Sequence, residues 1–232
     1  FGLAFDVALH IGTLAAILAF FRREIAAMVA AIPSLLSPAA GVPGDPARLA
    51  QRIVAGTVPV VVVGLLFNDF IEETLRTPAV AAGALAVGAA LMFAAERLGT
   101  NRRAEDTVTW LDAVLNGCAQ ASALIPGVSR SGATISLGLL LGLRRDAAAR
   151  FTFLLAIPAT LAAAGKESLE LAHMGVSATN AQLMAVGVIV SALVGYITIK
   201  YFLRFLAGNR LDVFAYYRWA LAAVTFVWLF PR

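Results

Sequence analysis

The chain alternates between long apolar runs and short polar breaks. Six apolar stretches, at residues 5–21, 53–70, 79–97, 147–165, 182–203 and 213–230, stand out. A helix needs about 20 residues to cross a hydrocarbon core of roughly 30 Å, so each reads as a spanning helix. The breaks carry loop chemistry: Pro and Gly crowd residues 33–46, and residues 100–107 and 171–180 are polar. Residues 111–143 depart from this pattern. Their apolar halves, 111–125 and 133–143, are each too short to span, and Pro126-Gly127 with a group of hydroxyl and charged residues separates them. Non-helical backbone survives at membrane depth only where protein buries it or it lines a watery cavity. A re-entrant helix pair that enters and leaves on one face meets that condition. The expected fold is therefore all-α: a single integral membrane domain over residues 1–232, with about six transmembrane helices and one re-entrant pair.

Composition agrees with this reading. Of the 232 residues 60% are hydrophobic and 14% charged, with a mean hydropathy of +0.85. A soluble domain carries about a quarter charged residues, so a water-facing globule is excluded. The pI near 9.7 does not indicate nucleic acid, because the basic residues collect at the ends of apolar runs instead of forming a patch with interleaved aromatics. With Phe1 placed outside, 13 of the 18 Lys and Arg residues fall on predicted inner connections. Three, Arg76, Lys166 and Arg232, fall on outer ones, and Arg130 and Arg218 lie inside segments. Treating 111–143 as a full span would invert every later loop and spoil the bias, so the positive-inside rule supports re-entry from the cytoplasmic side. Cys118, the one cysteine, excludes an internal disulfide and reads as a small buried thiol. The chain opens at Phe1 without an initiator Met or a signal peptide, and a preceding stretch of the natural protein is expected.

Chemistry concentrates between the two apolar halves. Pro126 and Gly127 break the incoming helix, and Gly127 and Gly132 allow close approach of a ligand to the backbone. The outgoing helix starts near Ser131–Ala133, so its first N–H groups point back toward the loop and favour an anion. Ser129, Ser131 and Thr134 add hydroxyls, and Arg130 adds a charged fork suited to phosphate oxygens. The N–H groups of Gly132–Thr134 are expected to join them, and Gln120, polar in an apolar half-helix, to orient the loop or a phosphate oxygen. The plainer alternative has Arg130 reaching a lipid head group and the serines capping the helix. An arginine near the bilayer interior costs about 2.5–3.5 kcal/mol, and such crowding of hydroxyls and glycines around one arginine exceeds what capping needs.

The string Pro126-Gly127-Val128-Ser129-Arg130-Ser131-Gly132-Ala133-Thr134 resembles the PGxSRSGxT signature of the undecaprenyl-pyrophosphate phosphatase family, the bacitracin-resistance proteins. Gly117-x-x-Gln120, the run Phe151–Pro158, Phe5-Asp6-Val7 with Gly12-Thr13, and Gly64–Phe67 fit the same pattern in place, so the likeness covers nearly the whole chain. It implies an inverted-repeat, transporter-like architecture with two re-entrant pairs. It also implies hydrolysis of undecaprenyl pyrophosphate to the monophosphate and phosphate in the bacterial cell (inner) membrane. That reaction recycles the carrier lipid of peptidoglycan synthesis and gives bacitracin resistance. Arg130, Ser129, Ser131 and Thr134 would be the catalytic residues, with Gly127, Gly132, Gln120 and Pro126 binding substrate.

The family's Glu-rich motif and its Ser-Ser-x-Gly-His segment are not found in this sequence. A divalent cation, Mg2+ or Ca2+, is implied by the resemblance, with ligands and general base expected upstream of Phe1 and no metal ligand in this chain. His10 reads as a packing or lipid-facing residue, His173 as a solvated loop residue, and Asp6, Glu96 and Glu167 as interfacial anchors at helix ends. Ser129 is a secondary candidate for a covalent nucleophile, and the Phe151–Pro158 helix for lining a prenyl groove. The expected partners are a polyprenyl pyrophosphate lipid and membrane lipids, with no nucleic acid; a homo-oligomer is left open. Three other readings stand beside this one. A transporter or channel could use Arg130 as its anion site. An acid-phosphatase-type lipid phosphatase would need a histidine well after the Ser-Arg pair, where only His173 occurs, and a structural subunit leaves Ser129-Arg130-Ser131 unexplained.

Overall fold

A computed structural model describes residues 2–34, 44–174 and 178–229. Nine α-helices are present among them: α1 Gly2–Phe20, α2 Arg22–Ala30, α3 Pro46–Phe70, α4 Pro78–Leu98, α5 Trp110–Ser122, α6 Arg130–Leu140, α7 Arg145–Met174, α8 Ala178–Gly208 and α9 Asp212–Leu229. The six predicted spans correspond to α1, α3, α4, α7, α8 and α9. Helices over Pro46–Leu75, Pro78–Leu98, Arg145–Leu169 and Gln182–Gly208 are long and apolar enough to cross a membrane, and Val7–Phe20 is a shorter apolar helix. The protein is an all-α, multi-pass membrane protein.

Boundaries moved where local chemistry outweighs hydropathy. Helix α3 begins at Pro46, a turn or more before the apolar run, because Asp45 accepts from the Ala47 N–H at 2.9 Å and Pro46 needs no N–H in a first turn. The predicted loop at 171–180 is mostly helix, since α7 continues to Met174 and α8 starts at Ala178. Helix α2 carries too mixed a pattern to stand out in the sequence. Of the predicted connection 33–46, residues 35–43 lie outside the described ones.

Helices α5 and α6 have 13 and 11 residues, roughly 20 and 17 Å at a rise of about 1.5 Å per residue. Neither reaches across roughly 30 Å of hydrocarbon. Their outer ends are tied together. The Arg102 and Arg103 N–H groups donate to Gly142 O at 3.0 and 2.8 Å, and Arg144 N–H donates to Arg103 O at 2.8 Å. The chain thus enters α5 and leaves α6 at the same end of the molecule, as the re-entrant reading requires. Thr109 and Asp112 start α5 with a reciprocal capping box. Helix α6 stops at a left-handed Gly142 (φ +88°), with Leu143 N–H donating to Gly138 O at 2.9 Å.

Packing is by close helix pairs around α7. Helix α1 lies along α8, α4 along α9 and α3 along α5. In the last pair a Cβ at Gly117 would run into the Gly56 carbonyl, so the two backbones touch where only glycine fits. Phe21, Phe151, Leu154, Leu155, Ile135 and Leu139 fill the centre. The outer faces of α3 and α8 leave valines, leucines and isoleucines exposed, as suits lipid.

The arginines expected inside converge on one end. Arg145 grips Glu96 with Nε at 2.9 and 3.1 Å from its two oxygens, while Leu211 N–H donates to the same carboxylate at 2.8 Å and Arg210 lies 3.7 Å away. Arg103 pairs with Asp112, and Arg150 bridges Glu24 and Glu105. Glu96 is therefore a buried hub and not an interfacial anchor. Toward the other end His10 Nδ1 lies 2.8 Å from Glu167 Oε2, with both side chains partly exposed. His10 thus pairs across α1 and α7 instead of packing against lipid. Cys118 is exposed, contrary to the expected burial, because it sits on the outward face of α5. The side chains of Asp6 and His173 lie outside the described residues.

Candidate active site

The connection between α5 and α6 is built from the signature residues. Helix α5 tightens at its end, with Ala123, Leu124 and Ile125 N–H groups each donating three residues back, at 3.1 Å. Val128 N–H then donates to Ile125 O at 3.1 Å, closing a turn with Pro126 second and Gly127 third, at φ +86°. Proline followed by a positive-φ glycine is the chemistry of a type II turn. The turn presses on α4: a Cβ at Gly127 would collide with Ala81 backbone atoms.

Ser129 is the N-cap of α6, its Oγ accepting from Gly132 N–H at 3.1 Å. Ala133 N–H donates to Ser129 O at 2.9 Å. The expectation that Gly132–Thr134 offer N–H groups to an anion is therefore corrected, because the helix has already used the first two of them. The N–H groups of Arg130 and Ser131, in the first two positions of the helix, have no acceptor among the described residues. They are the donors an anion would meet. Ser131 Oγ lies 3.4 Å from Ser129 Oγ.

Arg130 is exposed, and Nη1 donates to Thr160 Oγ1 on α7 at 2.9 Å. Among the described residues no carboxylate lies within 4.0 Å of it. Thr160 was missed in the sequence, since a threonine on an apolar helix carries no motif; only folding brings it 30 positions back to Arg130. Thr134 is fully buried behind the loop, donating to Arg130 O at 2.8 Å and accepting from Thr152 Oγ1 at 3.0 Å. Its hydroxyl joins α6 to α7 and does not face the loop's open side.

Gln120 is buried against α7, with Nε2 3.5 Å from Leu155 O and Oε1 lacking a partner, so it braces α5 on α7 and does not reach the loop. Phe151, Leu154 and Leu155 are core residues; their face of α7 cannot line a prenyl groove. Among the described residues no group of three or more His, Cys, Asp or Glu could hold a metal.

This fold and loop define a polytopic α-helical membrane protein with a cationic loop at the start of a half-length helix, able to take a phosphate-like anion. The chain matches the family described as "Bacitracin resistance protein BacA" over residues 1–224, and it belongs to that family. It is 46% identical over 224 residues to a protein named undecaprenyl-diphosphatase from Rubrobacter xylanophilus, covering 97% of this chain and 82% of the relative. A relative of the same name from Nitrosococcus oceani is 45% identical over 226 residues, covering 97% and 84%. One named undecaprenyl-diphosphatase 2 from Stutzerimonas stutzeri is 44% identical over 230 residues, covering 97% and 84%.

Proposed function

We propose that the protein hydrolyses undecaprenyl pyrophosphate to undecaprenyl phosphate and inorganic phosphate. This recycles the carrier lipid of peptidoglycan synthesis and gives bacitracin resistance; we place it in the bacterial cell (inner) membrane. The family and the naming of its relatives support the reaction. The structural observation that carries it is Arg130, opening α6 at the turn between two short helices, with Thr160 as its hydrogen-bond partner and no carboxylate among the described residues to neutralise it.

In this reading Arg130 holds oxygens of the terminal phosphoryl group two at a time, and the N–H groups of Arg130 and Ser131 bind beside it. Water attacks the terminal phosphorus, the bond to the bridging oxygen breaks, and the lipid monophosphate leaves. Charge spreads over the phosphoryl oxygens in this step, and a guanidinium already held in place by Thr160 stabilises it with little reorganisation. Ser129 and Ser131 share one hydrogen bond between their hydroxyls, which leaves one O–H of the pair to donate, and Ser129 Oγ is already committed as a cap acceptor, which weighs against it as a covalent nucleophile. The donors gathered here are hydroxyls, N–H groups and a guanidinium. They fit an anion and do not fit a divalent cation, so Mg2+ or Ca2+ is not assigned to these residues.

The test is phosphate release from a long-chain polyprenyl pyrophosphate by the full-length protein in detergent, run beside anion flux in liposomes. Stoichiometric phosphate and lipid monophosphate without flux is the expected result. Flux with no phosphate release would overturn the assignment in favour of a transporter.

A further inference from the structure

Arg218 belongs to none of the signature segments. It lies in the apolar body of α9, six residues after Asp212, and is 8% exposed. Its Nη2 donates to two backbone carbonyls, Gly127 O at 3.0 Å and Ala84 O at 3.3 Å. Its Nε is buried without an acceptor, and no carboxylate lies within 4.0 Å of the guanidinium among the described residues. An ionised arginine so deep is costly, and such residues in membrane helices mark functional positions.

The surroundings are shaped for this side chain. Gly88 on α4 lies where a Cβ would run into Nη2, so glycine is what lets the guanidinium pass between α4 and α9. Gly127 is the positive-φ residue of the turn, and it precedes Arg130 by three positions. The guanidinium therefore grips the loop at the peptide of its positive-φ glycine.

We propose that Arg218 is a positioning residue for the diphosphate site, holding the Gly127 carbonyl toward α9 so that the loop presents Arg130 and the free N–H groups to the anion. The inference rests on the phosphatase reading above. A carbonyl oxygen turned into an anion site would repel the ligand; one tied to a buried cation is both directed and neutralised. Arg218 also leaves a positive charge behind the loop that no described carboxylate cancels. In a low-dielectric setting that charge lowers the energy of a diphosphate bound at the loop.

The test uses the full-length protein in detergent and compares the single variants Arg218→Lys and Gly88→Ala with the double variant Arg218→Lys/Arg130→Lys and its Arg130→Lys parent. Gly83→Ala serves as a control, since a Cβ there meets nothing within 4 Å. Lysine keeps the charge but loses the rigid fork, and Gly88→Ala displaces the guanidinium without touching it chemically. Rates are expressed per folded, monodisperse molecule. Arg218→Lys and Gly88→Ala should each lose at least about tenfold in kcat while KM moves less than about threefold. The double variant should cost less than the product of its two parts, because both residues act through one loop. Gly83→Ala should match the wild type. A kcat within about threefold of wild type in both Arg218→Lys and Gly88→Ala would overturn the role of Arg218, as would strict multiplicativity. A wild-type protein that releases no phosphate would instead overturn the phosphatase reading, so the two failures are distinguishable.

Discussion

Two groups of arginines divide the molecule. At the charged end Arg103, Arg145 and Arg150 each bond a carboxylate of the chain itself, Asp112, Glu96, and Glu24 with Glu105. At the loop Arg130 and Arg218 bond, among the described residues, only neutral oxygens, a threonine hydroxyl and two carbonyls. The same side chain therefore does opposite work. Pairing at the charged end cancels charge and ties together helix ends from distant parts of the chain. At the loop no described carboxylate cancels the charge, which in the proposed function leaves it for the diphosphate.

The largest effect that would break this comparison is at Arg130. Arg130→Ala should lower phosphate release on the order of a thousandfold, the lower range for a phosphoryl-stabilising arginine, with little change in thermal unfolding. Arg130→Lys should recover only a small part. Turnover near wild type in either variant would remove Arg130 from the site. At the charged end the converse holds. Glu96→Ala strands Arg145, Arg210 and the Leu211 N–H, a loss of about 3–5 kcal/mol by the usual cost of breaking a buried pair. Folded yield should collapse while the rate per surviving folded molecule is kept. If Glu96→Ala reduced that rate as strongly as Arg130→Ala does, the two regions would not be separable.

Smaller changes sharpen the contrast. Thr160→Val removes the hydroxyl that steers Arg130 and should cost on the order of tenfold in kcat/KM, about the worth of one hydrogen bond to a charged group. An unchanged kcat/KM would show that Thr160 does not steer it. The smallest effect is at Glu105, in the connection between α4 and α5. Burial raises its pKa above the ordinary carboxylate value, against the opposing pull of Arg150. The folded state then binds that proton more tightly than the unfolded chain. This contribution favours folding at acid pH and is lost as pH rises through the folded pKa. In Glu105→Gln the thermal midpoint should fall less between about pH 5 and about pH 8 than in the wild type. An equal or steeper fall would show that Glu105 does not contribute in this sense.

Much was legible in the order of residues. The long apolar helices, the two short helices and the loop between them followed from hydropathy and from the two short apolar halves around Pro126-Gly127, because the bilayer imposes length and polarity constraints that a linear pattern records. The loop's turn type and the cap at Ser129 are equally local, encoded by Pro-Gly and by a serine three residues before Gly132. Folding was needed to give the rest. Thr160 and Arg218 reach the loop from other helices, Thr134 and Gln120 turn into helix contacts instead of the ligand face, and Glu96 becomes a buried hub. Periodicity places a side chain on a helix but not against a particular neighbour. Which arginine is cancelled by a carboxylate and which meets only neutral oxygens among the described residues depends on helix packing, and only the tertiary structure decides that.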